Sequence, residues 1–238
     1  MDILNIFNGK IKEIVFQEEA LCLLLIGEGA EIERKDFNQL NDIDLFAIIE
    51  DINDFEREVY ELKGVKFDIS YISLELLKKG VSERWPFIIN SLHNYKYIYN
   101  ESEEIDNLLN KIRLIYNSGP RPMKMNEIDY IRFKLYQEYD DMLARKEDKL
   151  NLIFLMNNLF KNILVSYFQL HNLWVPKDKK ILAKLQKIDY NFYCLCQRFI
   201  GEREVGQKLD MLLEIMSYVL RPFGGVMKYW RRGKFPLK

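Results

Sequence analysis

The chain of 238 residues is longer than most single domains, and with 48% apolar and 30% charged residues it has the composition of a folded globular protein, not a disordered one. The longest apolar run, Ala20 to Ile26, is too short to span a bilayer. There is no N-terminal basic patch followed by an apolar stretch and a cleavage site, and three cysteines make no disulfide framework, so the sequence predicts a cytoplasmic protein without a membrane partner. The formal net charge of −1 hides an asymmetry: residues 1–119 carry 13 Lys and Arg against 23 Asp and Glu, residues 120–238 carry 22 against 13. An acidic first half suits cations and a basic second half suits an anionic ligand, while the near-neutral total argues against nucleic acid as partner.

In chain order, apolar residues at Ile3, Leu4, Ile6, Phe7, Ile11, Ile14 and Val15 predict an amphipathic helix over residues 1–19, interrupted near Gly9. Leu21 to Ile26 is a continuous apolar run of strand length closed by Gly27. Asp36 to Asn41 is polar and loop-like. A second apolar stretch, Ile43 to Ile49, follows, with Asp42 and Asp44 at its start. A helix is predicted over residues 53–62. Val65 to Ser73 alternates apolar and polar residues with the period of a half-buried strand. Residues 74–80 and 85–92 read as helices, 95–99 as a short strand and 103–116 as a helix with Leu108, Leu109, Ile112 and Ile115 on one face.

The run Asn117-Ser118-Gly119-Pro120-Arg121-Pro122 concentrates turn formers and two prolines, which end the preceding helix and mark a domain boundary. Beyond it strand signals vanish. Helical spacing over residues 128–146, 150–171, 178–186, 191–200 and 204–220 predicts a bundle of about five helices. The fold class is therefore α+β: a mixed sheet domain followed by a helical bundle. The last eleven residues carry Lys228, Arg231, Arg232, Lys234 and Lys238 and no acid.

Chemistry concentrates around Leu25-Ile26-Gly27-Glu28-Gly29-Ala30 and Asn41-Asp42-Ile43-Asp44. Side chains alternate along a strand, so Asp42 and Asp44 share a face. Two carboxylates on an otherwise apolar strand are costly unless a cation compensates, and magnesium, which prefers oxygen ligands and bridges to phosphate, is the natural one. Asp68 occupies a like position on the later strand. If the two strands are neighbours, three carboxylates converge in the manner of two-metal phosphoryl transfer. Gly27 suits a turn where backbone must approach phosphate without a Cβ in the way.

With its apolar strand, glycine turn, Asp-x-Asp and third acid on a later strand, carried here by Gly27, Glu28, Asp42, Asp44 and Asp68, the sequence resembles the nucleotidyltransferase superfamily of the DNA polymerase β type. Glu28 stands where that family has a serine. A small mixed domain, residues 1–118, ahead of a helical substrate-binding domain, residues 119–238, is similar to the antibiotic nucleotidyltransferase branch, which includes the kanamycin and lincosamide enzymes. The resemblance implies a twisted sheet with helices on one side. It implies Mg2+ held by Asp42, Asp44 and Asp68, with Asp68 also assisting acceptor deprotonation, and an NTP, ATP first among them, bound near Gly27 and Glu28. It further implies transfer of a nucleoside monophosphate to a hydroxyl-bearing acceptor. His171-Asn172-Leu173-Trp174-Val175-Pro176 with Lys179 resembles an Asn, aromatic, Pro, Lys pattern of some members, which makes Lys179 a candidate nucleotide contact.

Glu138, Asp140 and Asp141 are candidates for a base from the helical half. Cys194 and Cys196 lack partners at zinc spacing and read as packed thiols, and Tyr130, Phe133, Tyr136 and Tyr139 recur at helical spacing as core residues. The rival reading, motivated by Glu28 and Glu31, is a non-catalytic or protein-modifying relative, an antitoxin or nucleotide sensor. A homodimer is left open.

Overall fold

The structure, a computed structural model, describes residues 3–50 and 52–232, apart from the side chains of Arg34, Lys35 and Asn38. The chain divides into two compact units, Met1–Gly119 and Pro120–Lys238. Unit 1 opens with helix α1 (Ile3–Gln17), then strands β1 (Cys22–Leu25), β2 (Ile43–Ile49), β3 (Glu56–Leu62) and β4 (Val65–Ser73). Helices α2 (Leu74–Ser82) and α3 (Pro86–Leu92), strand β5 (Lys96–Asn100) and helix α4 (Glu103–Ser118) complete it.

The five strands form one sheet in the order β3-β4-β2-β1-β5, in which only β2 and β4 run parallel. Both faces of the central strands are apolar. Leu23, Leu25, Ile43, Leu45, Ala47, Phe67 and Ile69 pack with Ile6, Phe7 and Ile14 of α1 and with Phe37 of the 3-10 turn Arg34–Gln39. Leu24, Phe46, Ile48 and Ile72 alternate onto the other face and are fully buried there. That face is covered by α2, α3 and α4; Phe46 joins a chain of ring contacts through Phe55 to Phe87 on α3, at 6.4 and 4.9 Å. Helices therefore lie on both sides of the sheet, not on one. The reason is legible in β2 itself, whose buried residues occupy consecutive positions from Leu45 onward.

Three further expectations for unit 1 are corrected. α1 runs through Gly9 without a break: the glycine is solvent-exposed and faces open space, so its low helix propensity meets no packing conflict. The polar stretch after Asp36 is partly taken up by the 3-10 turn Arg34–Gln39. The predicted helix over residues 53–62 is instead β3, an edge strand hairpinned to β4. Lys63 and Gly64 between them both have positive φ, 54° and 84°, the two-residue turn whose twist matches antiparallel strands. The pairing overrides the helix-forming Glu and Arg content, and β3 alternates half-buried Glu58, Tyr60 and Leu62 with exposed Arg57, Val59 and Glu61.

On the α1 face this hairpin captures a buried amine. Lys10 lies 2.8 Å from Glu13 and 3.4 Å from Glu58, over the Tyr60 ring, and Tyr71 donates to Glu58 at 2.6 Å. Burial opposes the charge on Lys10, but the proximity of Glu13, Tyr60 and Glu58 outweighs it and raises its pKa.

Unit 2 contains α5 (Met125–Leu143), α6 (Lys149–Leu170), α7 (Ile181–Ile188), α8 (Tyr190–Gly201) and α9 (Val205–Leu220) around a core that includes Phe168, Phe192, Phe199 and Met216. The expected helix over residues 178–186 divides into a 3-10 turn, Asp178–Lys180, and α7. Asp189 caps α8 through the Phe192 amide at 2.9 Å and accepts from the hydroxyls of Tyr167 and Tyr218, which ties three helices together. Tyr139 is buried, Tyr130 and Phe133 pack on Trp230, and Lys228 lies over Tyr136, so part of the basic tail is packed; Lys234 and Lys238 fall outside the described residues. Burial pushes the Cys22 and Cys196 thiols up to about 12, in keeping with packed thiols, whereas Cys194 is half-buried. Among the described residues no helix is long and apolar enough to cross a membrane.

Gly64 faces open space but holds a left-handed backbone, so Gly64→Ala is expected to cost roughly 1 kcal/mol through backbone strain alone. A lowered midpoint in urea with an unchanged denaturant slope would show it; an unshifted midpoint would count against the hairpin assignment.

Candidate metal and phosphate site

The site is built by the pairing of β2 with β4. Their parallel register sets Asp44 beside Asp68 and Ile43 beside Phe67. With Ile43 and Phe67 held in the core under α1, the two aspartates must emerge on the opposite face. Asp42, two residues before Asp44, shares that face. The three carboxylates named from the sequence do meet: one oxygen of each lies within 4.8 Å of the others, and all three residues are partly exposed.

Three negative charges at such spacing repel by roughly 1–4 kcal/mol per pair, depending on how far water screens them. Two cations of the same hairpin offset this. Arg57 on β3 grips Asp68 with both arms of its fork, Nε to Oδ1 at 2.7 Å and Nη2 to Oδ2 at 2.5 Å. Val59 is the register partner of Asp68, so Arg57 reaches it diagonally along the same face. Lys66, two residues before Asp68, places its amine 3.7 Å from Asp42. The Arg57 pKa is raised by its hydrogen bonds to Asp68 and the Asp68 charge, with further contributions from Asp44 and Asp42. The guanidinium thus feels all three carboxylates.

Gly27 forms the wall of this site. The amide of Ile26 donates to the Asp44 carbonyl at 3.0 Å and extends the β1–β2 pairing, after which the chain turns through Gly27 at φ 64° into the 3-10 turn Gly27–Ala30. A Cβ on Gly27 would collide with the Asp44 carboxylate. Glycine is required here twice over, by conformation and by the space the carboxylate fills. Glu28 is exposed and is not one of the carboxylates that meet. The oxygen-only donor set, partly exposed and bordered by the Gly27 backbone, fits a hard divalent cation such as magnesium.

Lys179 lies in unit 2, exposed on the Asp178–Lys180 turn, where Asp178 accepts from Lys161 at 2.6 Å. Among the candidate bases, Glu138 is engaged by Asn162 at 2.8 Å and Lys134 at 3.5 Å, while Asp140 and Asp141 are exposed. Within unit 2, α5 and α6 border a cleft of about 320 Å³ whose polar lining includes Tyr130, Lys134, Asn162, Ser166 and Gln169.

Sequence reasoning missed Arg57 and Lys66. Arg57 was hidden by the helical reading of its segment, and the signal that places it is Gly64 closing a two-residue hairpin. Lys66 was treated as the polar partner of an alternating strand, although its parity with Asp68 already put it on the aspartate face.

No protein-family model and no curated protein matches the sequence. In fold the chain is similar to a crystal structure of a nucleotidyltransferase-like protein from Exiguobacterium sibiricum 255-15, with a TM-score of 0.51, 11% identity, and coverage of 91% of this chain and 73% of that one. The fold is therefore a nucleotidyltransferase-like α+β fold with a helical C-terminal region.

Gly27→Ala is expected to destabilise the chain by about 2 kcal/mol or more, from left-handed strain plus displacement of Asp44. The same change should weaken Mn2+ binding measured by calorimetry; unchanged stability and unchanged metal heats together would refute the tight Gly27–Asp44 approach.

Proposed function

We propose that the protein is a cytoplasmic, Mg2+-dependent nucleotidyltransferase that moves a nucleoside monophosphate from an NTP, ATP first among them, to a hydroxyl of a small molecule. An antibiotic-like acceptor is the foremost class. The observation that carries this reading is the convergence of Asp42, Asp44 and Asp68 within 4.8 Å on a nucleotidyltransferase-like fold, with Gly27 beside them.

Asp42, Asp44 and Asp68 would hold the metal, which when bound offsets triphosphate charge and eases ionisation of the acceptor hydroxyl. The acceptor oxygen attacks the α-phosphorus, the bond from that phosphorus to the bridging oxygen breaks, and pyrophosphate leaves with the electron pair. The hydroxyl proton passes to Asp68. Gly27 is assigned to the triphosphate, because the lack of a Cβ lets its backbone stand directly against the Asp44 carboxylate that would hold the metal. Glu28, exposed at the next position, borders the nucleotide's approach.

A second reading, a non-catalytic or protein-modifying relative acting as antitoxin or nucleotide sensor, is favoured by two observations. A carboxylate at Glu28 disfavours nearby phosphate, and Asp68 already has a cation in Arg57. The two readings separate on turnover. Incubation with Mg2+, α-labelled NTPs and a panel of hydroxyl-rich acceptors should move label to a small molecule, with release of pyrophosphate. Asp44→Asn should lower that turnover by at least about 100-fold and abolish the heat of Mg-ATP binding. Tight nucleotide binding without turnover, or label on a protein, would favour the second reading; identical heats in wild type and Asp44→Asn would remove the metal site from both.

A further inference from the structure

Arg57 occupies the carboxylate group that the proposed reaction needs for a cation, and the geometry of that contact points to a role beyond neutralising charge. The guanidinium engages both Asp68 oxygens at once, so the side of the carboxylate facing β3 is fully committed. Its partner is mostly buried, with the Asp68 side chain 15% exposed, whereas Arg57 itself is 56% exposed. Asp68 is fixed by its strand; Arg57 stands on an edge strand with water around most of its side chain and can rotate away at little packing cost. Among the described residues the hydrogen bonds of the guanidinium run to Asp68, while Asp44 and Asp42 act on it through charge alone.

We propose, resting on the metal-site reading above, that Arg57 is an exchangeable internal cation. It fills in for metal at Asp68 while the site is empty and transfers its fork to the phosphate oxygens of an arriving metal-bound triphosphate. The exchange is balanced in charge. Metal replaces the guanidinium on Asp68, and the polyphosphate replaces Asp68 on the guanidinium, so both the carboxylate and the arginine are paired before and after the full exchange. A planar fork suits this because it matches carboxylate and phosphate with the same bidentate geometry, which a lysine amine does not. Lys66, at 3.7 Å from Asp42 and on the same face, is a simple charge neighbour and has no such fork to hand over. Arg57 is in this account a gatekeeper of metal occupancy and a ligand for substrate phosphate, and it explains why metal alone and metal with nucleotide should bind with different affinities.

The two halves of the exchange respond in opposite directions to one substitution, which a merely structural role would not produce. Removing the fork with Arg57→Gln should tighten Mn2+ binding in the absence of nucleotide by roughly fivefold, because the metal no longer competes with it. The same variant should weaken binding of inorganic tripolyphosphate in the presence of Mg2+ by about tenfold. Arg57→Lys, which keeps the charge but not the fork, should recover less than half of the lost tripolyphosphate affinity. Calorimetry reads both ligands without any acceptor, and thermal unfolding confirms that the variants are folded. Opposite shifts of the two affinities support the exchange. Mn2+ binding that is unchanged or weaker in Arg57→Gln, or tripolyphosphate binding that does not fall, overturns it while leaving the metal site standing. If neither wild type nor Arg57→Gln binds Mn2+, the aspartate site itself is misread and the exchange falls with it; loss of the Mn2+ signal in Asp44→Asn, with wild type binding, shows that the metal reading holds independently.

Discussion

The parallel pairing of β2 with β4 is the constraint on which the aspartate cluster depends. It sets Asp44 and Asp68 side by side on neighbouring strands, and the apolar residues between and beside them, Ile43, Leu45, Phe67 and Ile69, leave the carboxylates only one direction to point. Burial on one face of the sheet thus pays for concentrated charge on the other. The cost of that concentration then selects the surroundings: a glycine where a Cβ would strike Asp44, an arginine on the adjacent edge strand and a lysine two residues along β4. Each is a local answer to the same electrostatic problem.

The division of the chain separates two kinds of packing. Unit 1 derives its order from long-range strand pairing, in which residues distant in sequence meet across the sheet. Unit 2 derives its order from helices in sequence, stitched by polar anchors such as Asp189 and by Arg132, which donates to the carbonyls of Gly224 and Gly225 at 2.7 Å. A site that needs side chains fixed to within hydrogen-bond tolerance belongs on the first kind of scaffold. The cleft bordered by α5 and α6 lies on the second.

Much of this was legible in the residues. Continuous apolar runs located β1 and β2, strict alternation located β4, and the Asn-Ser-Gly-Pro segment located the end of α4, because each of these is a local pattern with one physical interpretation. The convergence of Asp42, Asp44 and Asp68 could be stated only as a condition, since strand adjacency is a property of the whole sheet. β3 was misread for the same reason. Glu, Arg and Leu favour a helix when taken alone, and the pairing with β4 that decides otherwise is announced by a single glycine. The loss of Arg57 from the sequence-derived site followed directly, because a residue placed on the wrong element cannot be placed on the right face.

The alternation of charge along β3 has a further consequence for how the chain finds its fold. In the observed alignment Arg57 meets Asp68 on one side of the sheet while Glu58 meets Lys10 and Tyr71 on the other. Slipping the hairpin by a single residue would exchange the two sides, bringing a glutamate against the aspartates and an arginine against a buried ammonium. Misalignment is therefore penalised twice, by repulsion of like charges on both surfaces at once. The edge strand carries its own proofreading, and the same charges that furnish the site also ensure that it is assembled from the correct residues.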